Sequence, residues 1–206
     1  MAQARRGESW LIMVALVLLI GTVTKAKRRG ARPSAKLVEW SDYDMRAFID
    51  ETGSIGVPLE AALMVYTAES GLDPKASSGI AYGLPQLTGR TAKDLGWTRP
   101  IREFGTLTVA QQAPWIAKLQ AYQARMIGYV PATALELYVA NFSPKAAQAR
   151  SDVIYRQGTE SYAKNASLDR DHKGYISPND LQVSLNQAAQ TETYKRAVAQ
   201  LRRLRA

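Results

Sequence analysis

LMVYTAESGLDPKASSGIAYGLPQLTGRTAKDLGW, Leu63 to Trp97, is the stretch whose reading decides the fold. Just upstream and into it, Leu59, Ala62, Leu63, Val65 and Tyr66 recur at helical spacing, and Pro58 suits a first helical turn. The apolar face leads up to Glu69 near the C-terminal end, and Gly71 is a natural stop. Asp73 to Ala81 reads as loop, with Asp73-Pro74 as a turn rather than a second catalytic carboxylate. Gly83, in Tyr82-Gly83-Leu84-Pro85-Gln86-Leu87, lets backbone come close to a ligand. Thr88 to Gly96 reads as a short helix.

Glu69 has two readings. A glutamate at a helix C-terminus is most commonly solvated, and that end of the dipole is unfavourable for a carboxylate. Half-buried against apolar neighbours, the same group has a raised pKa and keeps its proton long enough to act as a general acid.

The neighbouring segments extend the helical pattern. Trp40-Ser41-Asp42 opens a helix through Thr52, with Ser41 or Asp42 as cap. Gly53 and Gly56 close it. Thr108 to Gly128 is the longest pattern, with Ala113, Ile116, Leu119, Tyr122 and Met126 recurring along it and Pro114 disturbing its start. Pro131 to Asn141 is another helix, on which Tyr138 and Asn141 lie three apart and share a face or an end. No stretch alternates with period two, so the expected class is all-α.

The 206 residues suit one domain with appendages, and a net charge of +9 fits an acidic polymer, an anionic membrane surface or nucleic acid. With no cysteine there is no disulfide framework, and the lone His172 excludes a multi-histidine metal site and disfavours a Ser-His triad. Residues 1–9 form a short polar tail. Trp10 to Thr24, WLIMVALVLLIGTVT, is an uncharged apolar run shorter than the ~20 residues of a comfortable span. Basic flanks, Trp10 at one end and the lack of a clean cleavage site make it an expected uncleaved membrane anchor. Lys25, Lys27, Arg28, Arg29, Arg32 and Lys36 outnumber Arg5 and Arg6, which places the C-terminal part on the cytoplasmic side. Residues 25–39 read as a basic linker, either lying on lipid headgroups or simply solvated.

Glu69-Ser70-Gly71-Leu72-Asp73-Pro74, then Tyr82-Gly83-Leu84-Pro85-Gln86-Leu87 with Thr91-Ala92, then Tyr138-Val139-Ala140-Asn141-Phe142-Ser143-Pro144, stand in the order of a known signature. The stretch from Tyr43 to Pro144 resembles lytic transglycosylases with a goose-type-lysozyme-like domain, in the variant found in phage virions. Pro85 stands where that family usually has Met. The resemblance implies a lysozyme-like helical domain over 40–150 and cleavage of the β-1,4 bond between N-acetylmuramic acid and N-acetylglucosamine in peptidoglycan. It implies Glu69 as the single acid and base, with 1,6-anhydro ends as product. It also implies that Tyr138 helps hold the acid and the saccharide, that Asn141 faces the same cleft, and that the loop with Tyr82 and Gln86 lines it. Ser70 either hydrogen-bonds the glutamate or sugar or only caps its turn. A wall enzyme facing the cytoplasm is reconciled by a phage with a membrane in its virion; a bacterial inner membrane is the other location. The competing reading is a structural virion membrane protein whose degenerate domain binds glycan or a capsid partner.

Residues 151–206 read as a helical C-terminal extension. Asp169-Arg170-Asp171-His172-Lys173-Gly174-Tyr175-Ile176-Ser177-Pro178-Asn179-Asp180 resembles an EF-hand loop. Asp169, Asp171, the Tyr175 carbonyl, Ser177 and Asp180 stand at ligand positions, making a weak calcium candidate. Lys173 occupies a position where oxygen belongs, and Asp180 replaces the usual bidentate Glu, so a metal-free form is favoured. No metal or organic cofactor is expected. Gln182 to Arg205 is helical and ends in Lys195, Arg196, Arg202, Arg203 and Arg205, a face for lipid, nucleic acid or a capsid protein, or simply a solvated one. No sequence-specific recognition of nucleic acid is expected.

Overall fold

Helix α1, Asp42–Gly53, begins where Ser41 turns extended and its hydroxyl accepts the Asp44 N–H at 3.1 Å. Asp42 and Asp44 complement the positive end of the helix dipole. The structure, a computed structural model, describes residues 37–206, of which 61% are helical and 5% strand. Helix α2, Leu59–Ser70, follows, with Pro58 at the cap position just before the first turn rather than inside it. Seven of its residues, from Leu59 to Thr67, are buried, because packed elements surround the helix. Gly71 ends it at φ 64°, a left-handed conformation that glycine adopts without the Cβ penalty.

Two short pairs interrupt the helices. Strand β1, Ala81–Tyr82, pairs antiparallel with β2, Leu87–Thr88, in the register Ala81 to Thr88 and Tyr82 to Leu87. Two residues are too few to show alternation, which is why no period-two signal precedes them. Thr88 then caps α3, Gly89–Asp94. Helix α4, Val109–Ile127, starts from a Thr108–Gln111 capping box and runs unbroken past Pro114. The expected ragged start is absent: Pro114 forgoes one backbone bond, and the surrounding core holds the helix. The Ala110 N–H donates to Asp44 at 2.9 Å, fastening the start of α4 to α1.

Helices α5, Ala134–Phe142, and α6, Pro144–Gln148, share Ser143 at their junction. Strand β3, Tyr155–Arg156, pairs with β4, Tyr175–Ile176, around α7, Glu160–Asn165. The pattern expected as one helix from Gln182 to Arg205 is two, α8, Pro178–Ala189, and α9, Glu192–Arg205, with Thr191 capping the second.

Helix α2 lies at the centre, packed against α5, α8 and α9, while α1 packs on α4. The main core runs without a break across position 150: Phe48, Leu63 and Tyr66 share a cluster with Leu168, Leu181, Leu185 and Leu201. A smaller cluster of Leu87, Trp97, Phe104 and Leu119 supports the loops between β1 and α4. Three arginines of the basic C-terminal face bind this domain, Arg196 to Glu39, Arg202 to Glu60 and Arg203 to Asp42.

The expectation of a single-pass membrane protein is corrected. Among the described residues no helix is long and apolar enough to cross a membrane. The apolar run Trp10 to Thr24, on which that expectation was built, lies outside the described residues.

Candidate active site

Glu69 sits in the last turn of α2, half-buried. Its Oε2 is out of reach of water and has no hydrogen-bond partner. Burial pushes its carboxyl up to about 8, and no cation or hydrogen-bond donor counters that shift. At neutral pH the group therefore holds its proton. Two tyrosines feel it. Tyr138 of α5 is wholly buried with its hydroxyl unpartnered, and burial first, then the Glu69 charge, pushes its pKa well above the ordinary value. Tyr66, one turn before Glu69 on α2, is raised by burial and further by Glu69, against a lowering by Gln120, whose Nε2 donates to the phenol oxygen at 3.1 Å.

A cleft opens beside Glu69. One wall comes from the segment after β1, with Pro85, Gln86, Thr88, Thr91 and Asp94. The other comes from α4 with Tyr122 and Gln123, and from Asn141 and Pro144 at the α5–α6 junction. The structure thus brings Glu69, Gln86 and Asn141 into one cleft.

Three expected substrate contacts, Ser70, Tyr82 and the wholly buried Tyr138, are not in the cleft lining. The Ser70 hydroxyl donates to the Tyr66 carbonyl at 2.8 Å, which is the capping alternative. The Tyr82 hydroxyl donates to the Gly79 carbonyl at 3.1 Å, and its ring packs against Gly105 in the smaller cluster. Gln86 faces the cleft but holds its own loop, Nε2 donating to the Gly83 carbonyl at 2.9 Å. Gly83 is needed for a different contact from the one expected. A Cβ there would stand 2.5 Å from Gln112 Oε1 and 2.6 Å from Phe104 Cε1, so this glycine admits protein, not ligand.

Gln112 organises that wall. Wholly buried on α4, it accepts the Leu84 N–H at 2.9 Å through Oε1 and donates from Nε2 to the Pro74 carbonyl at 2.7 Å and the Leu107 carbonyl at 3.2 Å. Sequence reasoning missed it, along with Gln120, Gln123, Thr88 and Asp94, and named Thr91 only as part of the signature. A signal existed for two of them: Ile116, Gln120, Gln123 and Ile127 form one buried helical row in which two glutamines stand at apolar positions.

The loop from Asp169 to Asp180 lies apart from the cleft. Lys173 Nζ is 2.8 Å from Asp171, 2.8 Å from Asp180 and 3.4 Å from Asp169. Asp169 also accepts from Tyr162 Oη at 2.7 Å and from the Gly174 N–H at 2.8 Å. Burial by itself raises an acid, yet these donors hold Asp169 well below the usual carboxylate range. Ser177 donates N–H and hydroxyl to Asp180, both at 2.7 Å, as an N-terminal capping box for α8. Tyr175 lies in β4, its ring 5.1 Å from Lys173 Nζ. Among the described residues no group of three or more His, Asp or Glu side chains is arranged to hold a metal ion.

Comparison with family models, with curated proteins and with solved structures gives no match. What stands is a mainly helical protein with one proton-bearing carboxyl in a cleft walled by amides, hydroxyls and apolar groups.

Proposed function

We propose that the protein is a peptidoglycan lytic transglycosylase of lysozyme-like fold that cleaves the β-1,4 bond between N-acetylmuramic acid and N-acetylglucosamine. The observation that carries this reading is Glu69, a carboxyl kept protonated by burial at the edge of a cleft. Its place in the Glu-Ser-Gly motif, with Tyr138 and Asn141 facing it from α5, supports the same reading.

Glu69 protonates the glycosidic oxygen as the bond from C1 breaks. Its carboxylate then takes the proton of the C6 hydroxyl of the same muramic residue. The oxygen of that hydroxyl closes on C1 to give the 1,6-anhydro end. Glu69 finishes protonated and no water enters. The apolar surroundings that raise its pKa make it a willing donor, and its return to the neutral form favours the second step.

One observation favours a second reading. Asp94 also lines the cleft. Two carboxyls facing one bond, one donating a proton and one activating water, make an inverting hydrolase. Mass spectrometry of products from purified peptidoglycan, with the full chain and its Glu69→Gln variant, separates the readings. Anhydro-muropeptides from the wild type alone are expected. Reducing ends would assign hydrolysis and give Asp94 the water. No product from either protein would overturn catalysis and leave a glycan-binding domain.

A further inference from the structure

Gln123 of α4 and Asn141 of α5 meet beside Glu69, Nε2 of Gln123 donating to Oδ1 of Asn141 at 2.6 Å. They are 4% and 5% exposed. Two primary amides can close two hydrogen bonds on each other; this pair closes one. Gln123 Oε1 and Asn141 Nδ2 have neither a partner nor contact with water. Turning both amides over leaves the same remainder, one acceptor and one donor. Buried polar atoms are nearly always satisfied, and a core row that also holds Ile116 and Ile127 would accept Leu or Met at position 123. An unsatisfied amide pair in a cleft wall therefore points to a ligand that completes it.

The chemistry of that ligand follows from the remainder. It offers one N–H or O–H and one carbonyl-like oxygen. Among the described residues no Lys or Arg lines the cleft, and its acidic side chains are Glu69 and Asp94, so a phosphate or carboxylate finds no counter-charge there. A hydroxyl donates and accepts through a single atom. A secondary amide does so through two, matching two separate protein atoms.

We infer that Gln123 and Asn141 together read the acetamido group of the sugar bound beside Glu69, and so set the enzyme's preference for N-acetylated over plain glycans. This rests on the proposed glycan-cleaving function. Asn141 Nδ2 donates to the acetamido carbonyl and Gln123 Oε1 accepts its N–H. Neither atom is open to water, so binding turns the amide planes toward the cleft about their terminal torsions. Gln123 is a specificity-determining residue, not a catalytic one: the acetamido group it holds lies on C2, one carbon from the bond that breaks.

The test is calorimetric binding of the full chain to a tetramer of N-acetylglucosamine and to a tetramer of glucose, for wild type, Gln123→Met and Asn141→Asp. Met conserves volume without polarity. Asp keeps the acceptor used by Gln123 and replaces only the donor, so it serves even where the Met variant fails to fold. Wild type is expected to prefer the N-acetylated tetramer about tenfold or more, the ratio carried by one good hydrogen-bonded contact. Both variants are expected to bring that ratio close to one, through loss of affinity for the N-acetylated tetramer. A preference retained in a folded variant overturns the inference. So does a wild type that lyses walls yet does not distinguish the tetramers, which leaves the proposed function standing. A wild type that shows the preference, loses it in both variants and yields no product from walls supports the amide pair and removes the proposed catalysis instead.

Discussion

Glu69 and Asp169 are both carboxylates drawn into the protein, and they end in opposite states. Glu69 has an oxygen with no partner, and burial lifts its pKa to about 8. Asp169 receives a tyrosine hydroxyl, backbone N–H groups and the ammonium of Lys173, and is held low. Around Glu69 the amides of Gln120, Gln123 and Asn141 and the hydroxyl of Tyr138 also keep unpartnered atoms. Around Lys173 three carboxylates converge on one cation. Unsatisfied groups carry reactivity because a proton or a ligand finds a place there; saturated ones carry shape. One chain holds a proton-bearing carboxyl in the first environment and an ion-paired turn before α8 in the second.

The sharpest way to break this comparison is Glu69→Gln, which keeps shape and removes the proton donor. Wall lysis in a zymogram is expected to fall about a thousandfold, with unchanged circular dichroism. Retained lysis would place the acid elsewhere. Next comes the saturated side. Lys173→Met leaves three carboxylates facing one another, and Tm is expected to drop by roughly 10 °C. Lys173→Asp supplies the missing oxygen at that loop position, so millimolar calcium is expected to raise the Tm of this variant and not of the wild type.

A further effect joins stability to pH. The pKa of Glu69 rises on folding from the ordinary 4.5 to about 8, so the native state holds its proton more tightly than the unfolded chain. Stability from this group is fully present below pH 4.5 and is lost as pH climbs toward 8. Gln at 69 does not titrate. Its stability advantage over wild type is expected to open across that window to about 4–5 kcal/mol at pH 8.5, read by urea melts at both ends. Activity in the wild type is expected to decline above pH 8 for the same reason. The smallest change is Arg202→Ala, which removes an exposed bidentate pair with Glu60 and is expected to leave Tm nearly where it is.

Local rules made much of this legible. The apolar spacing from Leu59 to Tyr66, the left-handed stop at Gly71 and the caps at Ser41, Thr88 and Thr108 all follow from nearest-neighbour chemistry. So does the low-lying possibility of a proton-bearing Glu69. The rest depended on distant partners. Nothing within a few residues of Gln112 says that it pins Leu84 and Pro74, some thirty places away. Ser70 and Tyr82 belong to the right motifs, but their hydroxyls reach nearby backbone carbonyls, an option that sequence lists alongside ligand contact without choosing. The break between α8 and α9 falls at Gln190-Thr191, where neither Gly nor Pro marks it. Lys173 shows that a loop can keep the spacing of a metal site while a tethered cation takes the centre.

Helix α9 closes over α1 and α2 with Ala197, Val198 and Leu201 buried and three arginines reaching Glu39, Asp42 and Glu60. The ribosome makes it after everything it covers. At roughly 5–20 residues per second, the nascent chain spends seconds with the underside of the Glu69 helix open to water, and the helix gains its full support only when the last described turn is free. A protein assembled in this order completes the packing around α2 only after α9 has emerged, a built-in delay between making the Glu69 helix and supporting it.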